Sequence, residues 1–263
     1  MKVTLGADPE VFFTANGKHV SAIGKVGGSK YEPLHIKDGF FVLEDNVAGE
    51  FNVPPVDTVE MFNHTIAEGL KIMSSIANKN GCGISTRASH SFDTKELDCP
   101  AALEFGCEPD FNAWTFNENL RPDAVDSNLR SCGGHVHVGG ISELDPIRVV
   151  RALDLFLGVP SVILDPDMER RKLYGKAGAF RYKDYGVEYR TLSNFWIFEP
   201  MLRTWVAEGV ITAIQYVTDG LHIESDSVIG ALIQHCINES DEDAYKALVA
   251  EFPAIAPVLS VAA

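Results

Sequence analysis

The chain has 263 residues, 46% of them hydrophobic, and a formal charge of -15 from 22 Lys+Arg against 37 Asp+Glu. That length buries a full core, so disorder is excluded, and the acidic balance excludes nonspecific nucleic-acid binding, which depends on basic surface that displaces counterions. Direct duplex binding is therefore not expected. No apolar run approaches the roughly 20 residues that cross a bilayer, and Met1 to Gly6 leads into charge instead of a signal peptide's apolar centre, so a cytoplasmic protein with no membrane partner is expected. The cysteines (Cys82, Cys99, Cys107, Cys132, Cys236) are odd in number, scattered and without a C-x-x-C pair, and read as reduced thiols.

In chain order, Val3 to Phe13 is apolar with Asp8, Pro9 and Glu10 inside it, a strand that Pro9 places at an edge or a bulge. Glycines then punctuate short segments such as Phe40 to Leu43, and Glu50-Phe51-Asn52-Val53 alternates as a strand before Pro54-Pro55. Asp57-Thr58-Val59-Glu60 has the form of a capping box, and Phe62, Ile66, Leu70, Met73 and Ala77 predict a helix to about Lys79. Ile84 to Ser91 reads as a further strand. Phe92 to Arg130 is aromatic, acidic and aperiodic, a long ordered loop of the kind that carries function. Asp145-Pro146 opens a helix that Pro160 should kink or end. Three more helical patterns follow, from Glu199-Pro200, over Val228 to Ile237, and over Ala244 to Phe252. With no repeat or linker, the simplest layout is one α+β unit over residues 1–263, helices on one face of a mainly antiparallel sheet and a helical part at about 199–252.

Chemistry concentrates on four of these strands. In Cys132-Gly-Gly-His135-Val-His137-Val-Gly-Gly140 the two histidines share one face and the valines the other. Asp8 with Glu10, Glu50 with Asn52, and Glu188 with Arg190 have the same spacing of two. Taken singly, each admits a plain structural reading, a salt-bridged surface pair or histidines that meet only water. Seven of the 22 basic residues lie between Arg170 and Arg190 (Arg170, Arg171, Lys172, Lys176, Arg181, Lys183, Arg190), which suits a loop around phosphate oxygens, although no Walker A pattern is present and a solvated loop paired with Asp165, Asp167 and Glu169 is the alternative. Carboxylates with one imidazole suit Mg²⁺ or Mn²⁺, and together the four strands point to a metal–nucleotide site.

The order Gly6-Ala-Asp8-Pro-Glu10, Gly49-Glu50-Phe-Asn52, Gly134-His135-Val-His137, a basic loop and Glu188-Tyr-Arg190 resembles the carboxylate–amine ligase superfamily of glutamine synthetase and glutamate–cysteine ligase, and within it the phage-type COOH-NH2 ligases of type 2. The resemblance, over about residues 4–200, implies a curved antiparallel sheet flanked by helices and an ATP-dependent amidoligase, a phage protein of the host cytoplasm, that joins a small-molecule or peptide carboxylate to an amine through an acyl phosphate. By motif position it implies Asp8, Glu10, Glu50, His135 and Glu188 as metal ligands for Mg²⁺ or Mn²⁺. It likewise implies Arg170, Arg171, Lys172, Lys176 and His137 on the nucleotide, and Glu188, Arg190 and Arg181 in catalysis. An Asp stands at the first acidic position where Glu is usual, and no counterpart of the extra N-terminal domain of glutamine synthetase is expected. Two rival expectations are a zinc hydrolase using His135, His137 and Glu50, and a catalytically silent nucleotide-binding protein.

Overall fold

The computed structural model of the chain describes residues 2–103, 110–119 and 126–257. Its central sheet is antiparallel throughout, in the order Thr4–Ala7, Val136–Gly139, Gly186–Tyr189, Ala179–Lys183 and Phe111–Asn112. The chain steps at Pro9 from that sheet into a second one, ordered Glu10–Val11, Ala48–Asn52, Phe40–Asp45 and Leu34–Lys37. Main-chain bonds from Val53 N to Ala7 O (3.1 Å), from Phe51 N to Pro9 O (3.1 Å) and between Leu5 and Val56 stitch the two sheets along the N-terminal segment. Proline removes the one amide that would have continued the ladder, so the break falls between Asp8 and Glu10.

Alternation decides what each face carries. Val136, Val138, Phe180, Val187 and Tyr189 are fully buried on the face covered by helices. Helix Val59–Lys79 packs on helix Pro200–Thr218, and Phe62 stacks on Trp196 with ring centroids 5.8 Å apart. These are antiparallel sheets flanked by helices, as the sequence pattern and the resemblance led us to expect. Among the described residues no helix is long and apolar enough to cross a membrane, and Cys82, Cys99, Cys132 and Cys236 are free thiols; Cys107 lies outside the described residues.

Several expectations need correction. The capping residue of helix Val59–Lys79 is Thr58, whose hydroxyl accepts from Met61 N, a contact typically worth about 1 kcal/mol; Asp57 instead pairs with Lys2. Ile84 to Ser91 forms two short strands, Gly83–Ile84 and Ser89–Ser91, in different sheets. Pro160 does not end its helix. Helix Pro146–Leu153 passes through a π-turn at Asp154–Gly158 into helix Val159–Leu164, and the widened turn, with Val159 N bonded to Asp154 O, relieves the clash between the proline ring and the carbonyl four residues back. Within Phe92 to Arg130 the described residues form short elements, a 3₁₀ turn at Thr94–Glu96, a helical turn at Pro100–Leu103 and strands Phe111–Asn112 and Leu129–Ser131; residues 104–109 and 120–125 lie outside the described part.

Candidate active site

The face opposite the helices collects the charged side chains in two rows. In the central sheet Gly6 pairs with His137, His137 with Glu188, and Glu188 with Arg181, so these residues stand side by side. In the second sheet Glu10 pairs with Glu50 and Glu50 with Leu43; Asp45, two residues on from Leu43, shares that face. Both rows border one pocket of about 220 Å³, whose lining includes Asp8, Glu10, Asp45, Glu50, His135 and Glu188 together with Lys30, Arg181, Lys183 and Arg190.

The acids form two groups. Donor atoms of Asp8, His135 and Glu188 all lie within 4.8 Å of one another, as do those of Glu10, Asp45 and Glu50. In the first group His135 Nδ1 and His137 Nε2 both come within 3.2 Å of Asp8 Oδ1, yet neither is placed to bond it, so this buried oxygen has no donor. Burial pushes the Asp8 carboxyl up, but the neighbouring His137 and His135 rings hold it well below the ordinary carboxylate range. His135 is pushed down to about 4 by burial and then by Arg190, which leaves a neutral imidazole with a lone pair to offer. Glu188 is raised by burial and by Asp8, but Arg190, His135 and Arg181 outweigh them and bring it to about 2. Arg190 is ion-paired with Glu188, Lys183 Nζ sits 2.7 Å from Glu188 Oε2, and Arg190 Nε reaches Asp110 at 3.3 Å.

The second group has the opposite electrostatics. Burial and Asp45 push Glu10 up to about 8, although Glu10 Oε2 accepts from Gly133 N at 2.7 Å. Glu50 is raised well above its usual range by burial and by Asp8, Asp45 and Glu10, and Asp45 is raised by burial. Buried carboxylates that repel one another need a cation, and hard oxygens with at most one imidazole suit Mg²⁺ or Mn²⁺. The donor sets and the orphaned Asp8 oxygen therefore fit two divalent ions.

The glycines ahead of the histidine strand are required by packing. A Cβ on Gly133 would overlap the His135 ring, which folds back over it, and one on Gly134 would strike Ser193 O and the Trp196 indole nitrogen, which itself donates to Gly134 O at 3.1 Å. Behind them Asn194 Nδ2 bonds Glu10 O at 2.8 Å.

The family model described as phage phiEco32-like COOH.NH2 ligase-type 2 matches residues 124–253. This segment is similar to that family. It includes His135, His137, Glu188 and Arg190, whereas Asp8, Glu10, Asp45 and Glu50 precede it. Among solved structures the chain is similar to apo GmaS without ligand (14% identity, TM-score 0.42, covering 97% of this chain and 67% of that one) and to a GmaS/ADP complex in conformation 1 (13% identity, TM-score 0.39, the same coverage). No curated protein matches the sequence.

Of the residues singled out in the sequence, Asp8, Glu10, Glu50, His135, Glu188, Arg181 and Arg190 meet at the pocket, and His137 joins them through Asp8. Within the segment similar to the COOH.NH2 ligase-type 2 family, three cations expected on the nucleotide are turned elsewhere. Arg170 donates to Thr191 O (3.0 Å) and Arg190 O (3.3 Å), Arg171 to Ser161 Oγ (2.7 Å) and Ile237 O (3.3 Å), and Lys176 to Asn238 O (3.2 Å). None of the three lines the pocket, because the helical turn Arg170–Leu173 directs the two arginines into the interior. The Lys172 side chain lies outside the described residues. Sequence reasoning missed Asp45, Lys30 and Asp110, and counted Lys183 in the basic segment without giving it a role of its own. Asp45 precedes a two-residue turn whose Asn46 has φ 53°, and that hairpin signal sets it two positions past the Leu43–Glu50 pair; Lys183 follows Arg181 at strand spacing.

Proposed function

We propose that the protein is an ATP-dependent carboxylate–amine ligase that activates its acid as an acyl phosphate. The observation that carries this reading is the pairing, at one pocket, of two acid groups with four basic side chains. Divalent ions held by Asp8, His135 and Glu188 and by Glu10, Asp45 and Glu50 would neutralise the oxygens of the nucleotide phosphates. Arg181, Lys183 and Arg190 then meet the γ-phosphoryl group, where negative charge is shared between the attacking carboxylate oxygen and the departing ADP oxygen. The amine nitrogen attacks the acyl carbonyl, loses a proton, and phosphate departs with the C–O bond electrons. Arg170 acts from beneath, holding the carbonyls of Arg190 and Thr191, so that the arginine keeps its aim.

The test is ADP release from purified protein with ATP and Mg²⁺, screened over pooled acids and amines. ADP that forms only when both an acid and an amine are present, and falls about a hundredfold or more in Glu188→Ala, is the expected result. Equal ADP formation without amine would overturn it. The zinc hydrolase reading is disfavoured by the geometry, since His135 groups with Asp8 and Glu188 while Glu50 groups with Glu10 and Asp45.

A further inference from the structure

Behind the catalytic face lies a carboxylate that this mechanism does not use. Asp154 is wholly buried at the start of the π-turn, and three donors converge on it, with the Thr191 hydroxyl shared between it and the nearer Lys176 O at 3.1 Å. Trp114 Nε1 and Gly178 N reach its Oδ2 at 2.6 Å each; Tyr189 OH and Thr191 Oγ1 reach its Oδ1 at 2.7 and 3.4 Å. Hydrogen bonds to an ionised acceptor are about twice as strong as neutral ones, and burial strengthens them further.

What the donors are attached to matters more than their number. Tyr189 stands between Glu188 and Arg190, and Thr191 follows Arg190. Gly178 immediately precedes the strand Ala179–Lys183 that carries Arg181 and Lys183. Because side chains alternate along a strand, a tether on the helix side of Tyr189 and Thr191 sets the height and tilt of Glu188 and Arg190 on the other side. The π-turn aims Asp154 at this point; such turns are frequent at functional sites. A leucine there would leave several buried donors unpaired.

Resting on the ligase reading above, we infer that Asp154 is a positioning residue, which fixes Glu188, Arg190 and the Arg181 strand from behind the sheet. Tyr189, which stands between Glu188 and Arg190, transmits that constraint directly, whereas Trp114 holds Asp154 from outside the two strands that carry Arg181, Lys183 and Glu188.

The test compares two variants that each remove one donor from the same carboxylate, Tyr189→Phe and Trp114→Phe, with Asp154→Asn as a third. Amide hydrogen exchange is followed over 179–191, and kcat, KM for ATP and Mn²⁺ affinity are measured. The expected result for Tyr189→Phe and Asp154→Asn is faster exchange confined to 179–191, with kcat and Mn²⁺ affinity each down about tenfold and KM for ATP within about twofold, since small misplacements of reacting groups are costly. Trp114→Phe lowers the melting temperature and leaves kcat and Mn²⁺ affinity unchanged. Uniformly faster exchange with all variants equally impaired, or no change in 179–191 in Tyr189→Phe, overturns the inference. Localised exchange in a wild-type background that forms no ADP with any acid and amine would sink the ligase reading and leave the role of Asp154 standing.

Discussion

Gly133 has no side chain because the His135 imidazole lies where one would be. The Gly133→Ala variant should displace that ring and cut Mn²⁺ affinity about tenfold, read by titration with Mn²⁺ alone, while Gly134→Ala crowds the Ser193 carbonyl and the Trp196 indole and should lower stability by about 1–3 kcal/mol. Residue type and a spacing of two were enough to mark Asp8, Glu10, Glu50, His135, Glu188 and Arg190, since alternation is a local property of a strand. They were not enough to aim the cations of the basic loop. Whether Arg170 meets a phosphate or the carbonyls of Arg190 and Thr191 depends on a short helical turn and on partners 20 residues away, which no local pattern encodes. Asp45 shows the converse, a ligand candidate visible only once the register of its hairpin is known.

At the scale of elements, strand Lys18–Val20 is held beside strand Ser89–Ser91 by a stack of His19 on His90, with centroids 3.8 Å apart and planes at 26°. Burial, then His90 and Arg87, push His19 down to about 4 from the ordinary 6.5. The unfolded chain therefore takes up a proton near pH 6.5 that the folded chain refuses until about pH 4, so the stability present above 6.5 is lost progressively on acidification through this window. Melting curves at intervals from pH 7.5 to 4.5 should show a shallower acid decline in His19→Gln than in wild type; parallel curves would remove the stack from the account. The long helices were legible from their apolar spacing and caps. The path through Pro160 was not, because a π-turn answers a clash between turns and leaves no periodic mark.

For the whole molecule, the group of Glu10, Asp45 and Glu50 opposes folding when no cation is bound. Glu10 is raised to about 8 from the ordinary 4.5, so its favourable contribution is complete below pH 4.5 and disappears as the pH rises through 8. Chelator-treated protein should melt lower at pH 8.5 than at pH 6.5, and saturating Mn²⁺ should abolish that difference; a ligand at a hundred times its Kd adds about 2.7 kcal/mol. Asp45→Asn should raise the metal-free melting temperature and shrink the Mn²⁺ shift, as expected where a site is kept strained for its ligand. The sheet that assembles this pocket places Thr4–Ala7 between Val56 on one side and Val136–Gly139 on the other. On a ribosome adding about 5–20 residues per second, this strand waits many seconds for its second neighbour, holding the open backbone edge of Thr4 and Gly6 all the while. Slowed translation between residues 57 and 136 should therefore favour aggregation of the nascent chain, a hazard written into the order of its strands.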